Sequence, residues 1–304
     1  MTHSHTTCLL LWLLSAGQVL AQAQSTSYGQ SDNDPTPTYE GYTLVWQDEF
    51  TQDGPPDPAY WSHEKGFVRN EEHQWYQAAN ATCSNGVLTI VGKLETVNNP
   101  NHDPNSRNWR QSRPTAKYTA SSIKTEGKKA FQYGRFEVRA KIPTAGGSWP
   151  AIWTLGTTME WPSCGEIDIM EYYRIKGVPH ILANTAWGTD RRWQAHWDSK
   201  AVPFSHFLEQ DPQWADKFHI WRMDWDEHYI RLYLDDELLN ETNLDSTFNA
   251  APGQQQNPFR QPHYLLLNLA IGGINGGQPD DSAFPLEYII DYIRVYQRKP
   301  TPAP

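Results

Sequence analysis

The sequence predicts an all-β fold, an antiparallel β-sandwich built as one domain, and two observations carry that expectation. Short runs of β-branched and aromatic residues recur from end to end: TLVW 43–46, VLTIVG 87–92, FEVRAKI 136–142, AIWTL 151–155, GEIDIMEYY 165–173, HILANTAW 180–187, HIWRMDW 219–225, YIRLYLDD 229–236, YLLLNLAI 264–271 and YIIDYIRVYQ 288–297. Turn-forming residues separate them, and no second domain or internal repeat interrupts the series. Helix is expected to be scarce, with a turn or two from FLEQDPQWAD at 207–216.

In chain order, residues 1–23 read as a secretory signal peptide. An apolar run from Leu9 to Leu20 precedes Ala21-Gln22-Ala23, a small-x-small cleavage site, and is too short to span a membrane. Residues 24–40 are polar, rich in Ser, Thr and Pro, and read as a disordered linker. The sandwich occupies 41–298, and 299–304 is a flexible tail. Two stretches exceed the short connections of a sandwich, 94–117 and 189–216, and loops of that length usually carry function. Trp109 in the first, with Trp193 and Trp197 in the second, are candidate walls of a binding cleft.

The signal segment holds no Asp, Glu, Lys or Arg, so the formal net charge of −10 stays with the secreted chain. An acidic surface argues against nucleic acid and anionic membrane as partners. A neutral polysaccharide or oligosaccharide suits it, and the 14 Trp and 15 Tyr suit the apolar faces of sugar rings, although many must belong to the core. After the signal only Cys83 and Cys164 remain; a bond between them is open, and Cys164 is expected as a small buried packing residue. A monomer is the default expectation.

The chemistry is concentrated in GEIDIMEYY. On a regular strand Glu166 and Asp168 share a face and Glu171 points the other way. A one-residue β-bulge near Met170 would bring all three carboxyls to one surface. Two glutamates so placed could close to a carboxyl gap of about 5–5.5 Å, the separation used by retaining glycosidases. Three acids with apolar and aromatic flanks and no basic residue between them are costly unless they have a job.

This run, with GSWPAIW at 147–153, WPSCG at 161–165, WQDEF at 46–50, RNEEHQWY at 69–76, YGRFEVRAKIP at 133–143, LLLNLAIGG at 265–273 and DYIRVYQ at 291–297, resembles glycoside hydrolase family 16 in its bulged, laminarinase-like branch. The resemblance covers nearly all of the chain after about residue 42. It implies a concanavalin A-like jelly roll whose concave face is an open substrate cleft. It further implies Glu166 as nucleophile, Glu171 as general acid/base and Asp168 between them hydrogen-bonding Glu166, with no cofactor required for catalysis. Asn70 and Glu72 match positions that bind sugar hydroxyls. Trp149, Trp153, Asn184, Trp187, Trp193 and Asn268 complete the expected substrate contacts. Glu49 and Asp291 match positions of a structural calcium in many relatives. The segment LANTAWG at 182–188 departs from the His-Gly-Thr-x-His type segment of many laminarinases, which puts the substrate in question rather than the catalysis.

The activity expected is therefore endo-acting, retaining hydrolysis of β-1,3 or mixed-linkage β-1,3(1,4) glucan. The same acids also serve endo-β-galactosidases acting on galactans or host poly-N-acetyllactosamine glycans. A non-catalytic glucan-binding protein ranks last, because such proteins have lost the acids that this chain keeps.

Overall fold

In the computed structural model, which describes residues 36–251, 253 and 255–299, two antiparallel sheets face each other across one core. The signal segment, most of the linker and most of the tail lie outside the described residues. Each expected run lies wholly or mostly in a strand, from Tyr42–Asp48 to Leu286–Arg298, and a helix at Ser205–Gln210 with a 3-10 turn at Trp214–Asp216 sits where helix was expected. Among the described residues no helix is long and apolar enough to cross a membrane.

The larger sheet is centred on Gly134–Lys141 and Leu286–Arg298, which pair along most of their length. The smaller sheet has seven strands, and its central three carry the chemistry. Glu166–Ile175, the acid strand, lies between Ser148–Gly156 and Val178–Gly188, while His263–Ile271 flanks Ser148–Gly156 on its far side. Side-chain alternation sorts these strands cleanly. Ile152, Ile167, Tyr172, Ala183, Leu265, Leu267 and Leu269 point into the core between the sheets. Ala151, Trp153, Leu155, Tyr264 and Leu266 form a separate apolar cluster on the opposite face. That face is the floor of the cleft.

The two suspected long loops are mostly ordered elements. Ala195–Pro203 is a strand at the edge of the smaller sheet, paired without a break to Val178–Gly188. It escaped the sequence pattern because most of its side chains are exposed on both faces, so it has no apolar alternation. In the first stretch, the strand Val87–Asn98 runs on past its apolar half and a single helical turn forms at Trp109–Ser112. The chain then re-enters the sheet at Thr115–Ala120.

Cys83 and Cys164 are both free and buried. Burial pushes each thiol up to about 12, so neither is a nucleophile. Asn80 and Asn240 each open an Asn-x-Thr sequon, and in the fold both side-chain amides are engaged. The Asn80 amide is buried and donates to Val91 O and Thr119 Oγ1, and the Asn240 amide donates to Ala183 O and Asp198 O.

Candidate active site

The expected bulge is present. Between Asp168 and Met170 the acid strand advances two residues while its neighbour advances one, from Trp153 to Ile152. The other neighbour records the same extra residue, since Asp168 faces Asn184 and Glu171 faces Leu182. Ile169 and Met170 consequently both point into the core, fully buried. Glu171 is returned to the face of Glu166 and Asp168, and all three line one cleft of about 680 Å³.

Each outer glutamate accepts one indole N–H. Trp149 Nε1 donates to Glu171 Oε1 at 2.9 Å, and Trp161 Nε1 donates to Glu166 Oε2 at 2.7 Å. Asn184 Nδ2 bridges the group, donating to Glu171 Oε2 at 3.0 Å and to Asp168 Oδ2 at 3.3 Å. Burial raises the pKa of all three carboxyls, but not equally. Glu171 is pushed up to about 7, first by desolvation and then by the charge of Glu166, against the opposing bond from Trp149. Asp168 is held well above the carboxylate range by burial and by its two acidic neighbours. For Glu166, burial is opposed by hydrogen bonds from Trp161 and Asp168 and by the positive charge of Arg69. The environments therefore separate the roles: Glu166 is the carboxyl best supported as an anion, and Asp168 and Glu171 are the ones that keep protons.

Asn70 and Glu72 reach the cleft on a segment with two left-handed residues, Asn70 at φ 54° and Glu71 at φ 51°. The turn after His263–Ile271 holds this segment: His73 N donates to Ile271 O and Ile274 N donates to Asn70 O. Gly272 and Gly273 permit that approach, because a Cβ on them would stand 2.4 Å from His73 Nδ1 and 2.6 Å from Asn70 O respectively. Glu72 is buried, accepts from Gln74 Nε2, and has a pKa raised mainly by that burial. Trp153 lies under the Arg69 guanidinium, 5.0 Å from ring centre to Cζ, and its indole donates to Asn268 Oδ1 at 2.7 Å. Asn268 in turn donates to Tyr76 OH. Trp193 and Trp197 stand exposed on the cleft wall, as their position in the sequence suggested. Trp193 holds φ 64°, a costly conformation for a bulky residue, with Arg192 stacked 4.9 Å from its ring centre.

Three expected contacts are corrected. Trp187 is not in the cleft. It lies three residues beyond Asn184 on a strand without a bulge, so alternation turns it to the opposite face, where it packs against Phe259 and the core. Trp109 packs on Phe67 beside Arg110 and Arg113 instead of forming a cleft wall. Glu49 and Asp291 do not fit a calcium pair: Glu49 accepts two bonds from Arg294, and Asp291 is paired with Arg139. Hard cations want free oxygen ligands. Among the described residues no group of three or more His, Cys, Asp or Glu could hold a metal.

The sequence reading passed over Trp161 and Tyr264 as site residues. Trp161 stands in WPSCG, five residues before Glu166, and only folding of the intervening turn brings its indole back to that carboxyl. Tyr264 was within reach, since it shares the parity of Leu266 and Asn268 on the same strand.

Comparison with known proteins gives a consistent picture. The model of the glycosyl hydrolases family 16 matches residues 91–294. A beta-glucanase of Rhodothermus marinus is 34% identical over 287 residues, spanning 88% of this chain and 89% of its own. Among solved structures, one of the endo-acting O-glycanases that prominent members of the human gut microbiota express to initiate mucin breakdown superposes with a TM-score of 0.77. It is 33% identical, covering 88% of this chain and 94% of its own. The catalytic domain of an endo-1,3-beta-glucanase (laminarinase) from Thermotoga petrophila superposes at 0.68, also 33% identical, with 85% and 98% covered.

Proposed function

The chain belongs to glycosyl hydrolases family 16 and is a glycoside hydrolase; from that premise we propose that it is an exported, endo-acting, retaining β-glucanase cutting β-1,3 or mixed-linkage β-1,3(1,4) glucan. The observation that carries the mechanism is the bulge that sets a proton-holding Glu171 and an anionic Glu166 on one face. Glu166 attacks the anomeric carbon as Glu171 gives its proton to the glycosidic oxygen, forming a covalent glycosyl ester and releasing the leaving chain. Glu171, now ionised, takes a proton from an incoming water. Its oxygen attacks the anomeric carbon as the bond from that carbon to Glu166 breaks, so two inversions give net retention. Asp168 donates its proton as a hydrogen bond to Glu166, and Asn184 orients Asp168 and Glu171. Asn70, Glu72 and the Trp153–Asn268 pair offer polar contacts to sugar hydroxyls, while Trp193 and Trp197 offer stacking faces. The chemistry calls for no cofactor, and export rests on the segment 1–23.

Trp161→Phe tests the hold on Glu166. Losing one charge-assisted donor is expected to lower kcat about 10-fold. The bond stabilises the anion, so its loss raises the Glu166 pKa, and the acid limb of the kcat/KM profile should move to higher pH. An unmoved limb would show that the indole only fills space.

A second reading, hydrolysis of galactose-containing host glycans, is favoured by the higher structural similarity to the mucin-acting O-glycanase, 0.77 against 0.68 for the laminarinase. Product analysis on laminarin, cereal mixed-linkage glucan, agarose-type galactan and poly-N-acetyllactosamine separates the two. Oligomers from either glucan are expected. Products from the galactose polymers alone would keep the mechanism and replace the substrate.

A further inference from the structure

Two turns form the cleft wall beside the nucleophile, and one ion pair joins their tips. The turn 157–165 carries Trp161, whose indole donates to Glu166. The turn 189–194 closes the hairpin between Val178–Gly188 and Ala195–Pro203 and carries Trp193. A buried amide fastens their bases: Asn249 Oδ1 accepts from Gly188 N at 2.7 Å, and its Nδ2 donates to Ser163 O at 2.8 Å. Arg192 fastens their tips, where Nε and Nη2 donate to the two carboxylate oxygens of Glu160 at 2.7 and 2.8 Å.

Each partner of that pair adjoins an aromatic side chain of the cleft. Glu160 precedes Trp161, and Arg192 precedes Trp193 and stacks on its ring. Trp193 is more than half exposed, and at φ 64° it holds a conformation from which a bulky residue relaxes unless its neighbours hold it. The bonds within the hairpin, Thr189 N to Gln194 O and Gln194 N to Arg191 O, shape the turn but do not cross to the other one. Exposed ion pairs usually contribute little. A bidentate fork backed by a ring is the geometry that contributes most.

We propose that Glu160 and Arg192 are positioning residues that join the Trp193 wall to the indole behind the nucleophile, so that a sugar unit seated on Trp193 steadies Trp161 against Glu166. Binding energy from a part of the substrate outside the reacting bond then goes into alignment, which raises kcat as well as affinity. The inference rests on the glycan-hydrolase reading for its substrate class. It goes beyond that reading by assigning chain-length dependence to two side chains that do not line the cleft.

The test is kcat and KM over oligosaccharides of increasing length, taken from whichever polymer named above the wild type cuts. Wild-type kcat should rise about five-fold at the length that first reaches Trp193. Salt at about 1 M, which screens an exposed pair, should reduce that rise. Glu160→Gln should remove most of the rise, and with it the salt effect. Arg192→Lys keeps the charge but not the fork, so it should fall between. No rise in wild type, or a rise that Glu160→Gln leaves intact, overturns the proposal. A change in KM alone also overturns it, because Trp193 would then be a simple stacking face. Hydrogen exchange, read without substrate, is the second measure: in Glu160→Gln the amides of 157–163 and 189–194 should both exchange about five-fold faster. Loosening confined to 189–194 counts against the coupling. Exchange needs no turnover, so a chain inactive on every glucan would defeat the glucanase reading and leave this measure to decide.

Discussion

Glu166→Ala is expected to lower kcat on polysaccharide by about four to six orders of magnitude, the scale on which other covalent enzymes lose activity with their nucleophile. Glu171→Ala should be nearly as damaging on a natural substrate, where the leaving oxygen needs a proton. It should cost far less on an aryl glycoside whose leaving group departs without one. Added azide separates the roles. In Glu166→Ala it can enter only from the face that the missing carboxylate occupied, giving an α-glycosyl azide from an activated β-glycoside. In Glu171→Ala it intercepts the covalent ester from the opposite face and gives the β-azide. Chromatography of the azide products decides between them. The opposite pairing would exchange the two assignments, and wild-type rates in either variant would remove the trio from the chemistry.

Asp168 carries the second-largest effect. Asp168→Ala is expected to reduce kcat about 100- to 1000-fold, because Glu166 loses its neighbouring donor inside a buried site. Asp168→Asn keeps an N–H where the acid held its proton, so its loss should be nearer 10-fold. The pH profile gives an independent readout. Glu171 must be protonated to act, and its pKa is about 7, so activity falls as pH rises through 7. That limb is raised by burial and by the Glu166 charge; Asp168 keeps its proton through this range and adds no charge there, so Asp168→Asn should leave the limb near 7. The acid limb, which follows Glu166, should move to higher pH in Asp168→Ala. A basic limb that moved instead would show Asp168 acting on Glu171.

The bulge was legible because the acids themselves encode it. Three carboxyls with functional spacing but broken parity make sense only if one residue is extra, and the paired registers put it where Ile169 and Met170 share the core. Trp187 shows the same arithmetic neglected: three residues from Asn184 on a regular strand, its face could have been read from parity. The edge strand Ala195–Pro203 could not be read that way, since a strand solvated on both faces has no hydrophobic period to detect.

The sequence by itself determined the sandwich, the acid strand with its bulge, and the aromatic and amide residues around it. Those properties are written in local alternation and spacing, which a single strand carries alone. Tertiary structure alone decided that Trp161 and Trp149 each hold one glutamate, and that Glu49 and Asp291 are neutralised by Arg294 and Arg139. Each is a contact between segments up to 245 residues apart. Partners at such distances are chosen by how the sheets stack and how the loops close over them, and no short-range period records that choice.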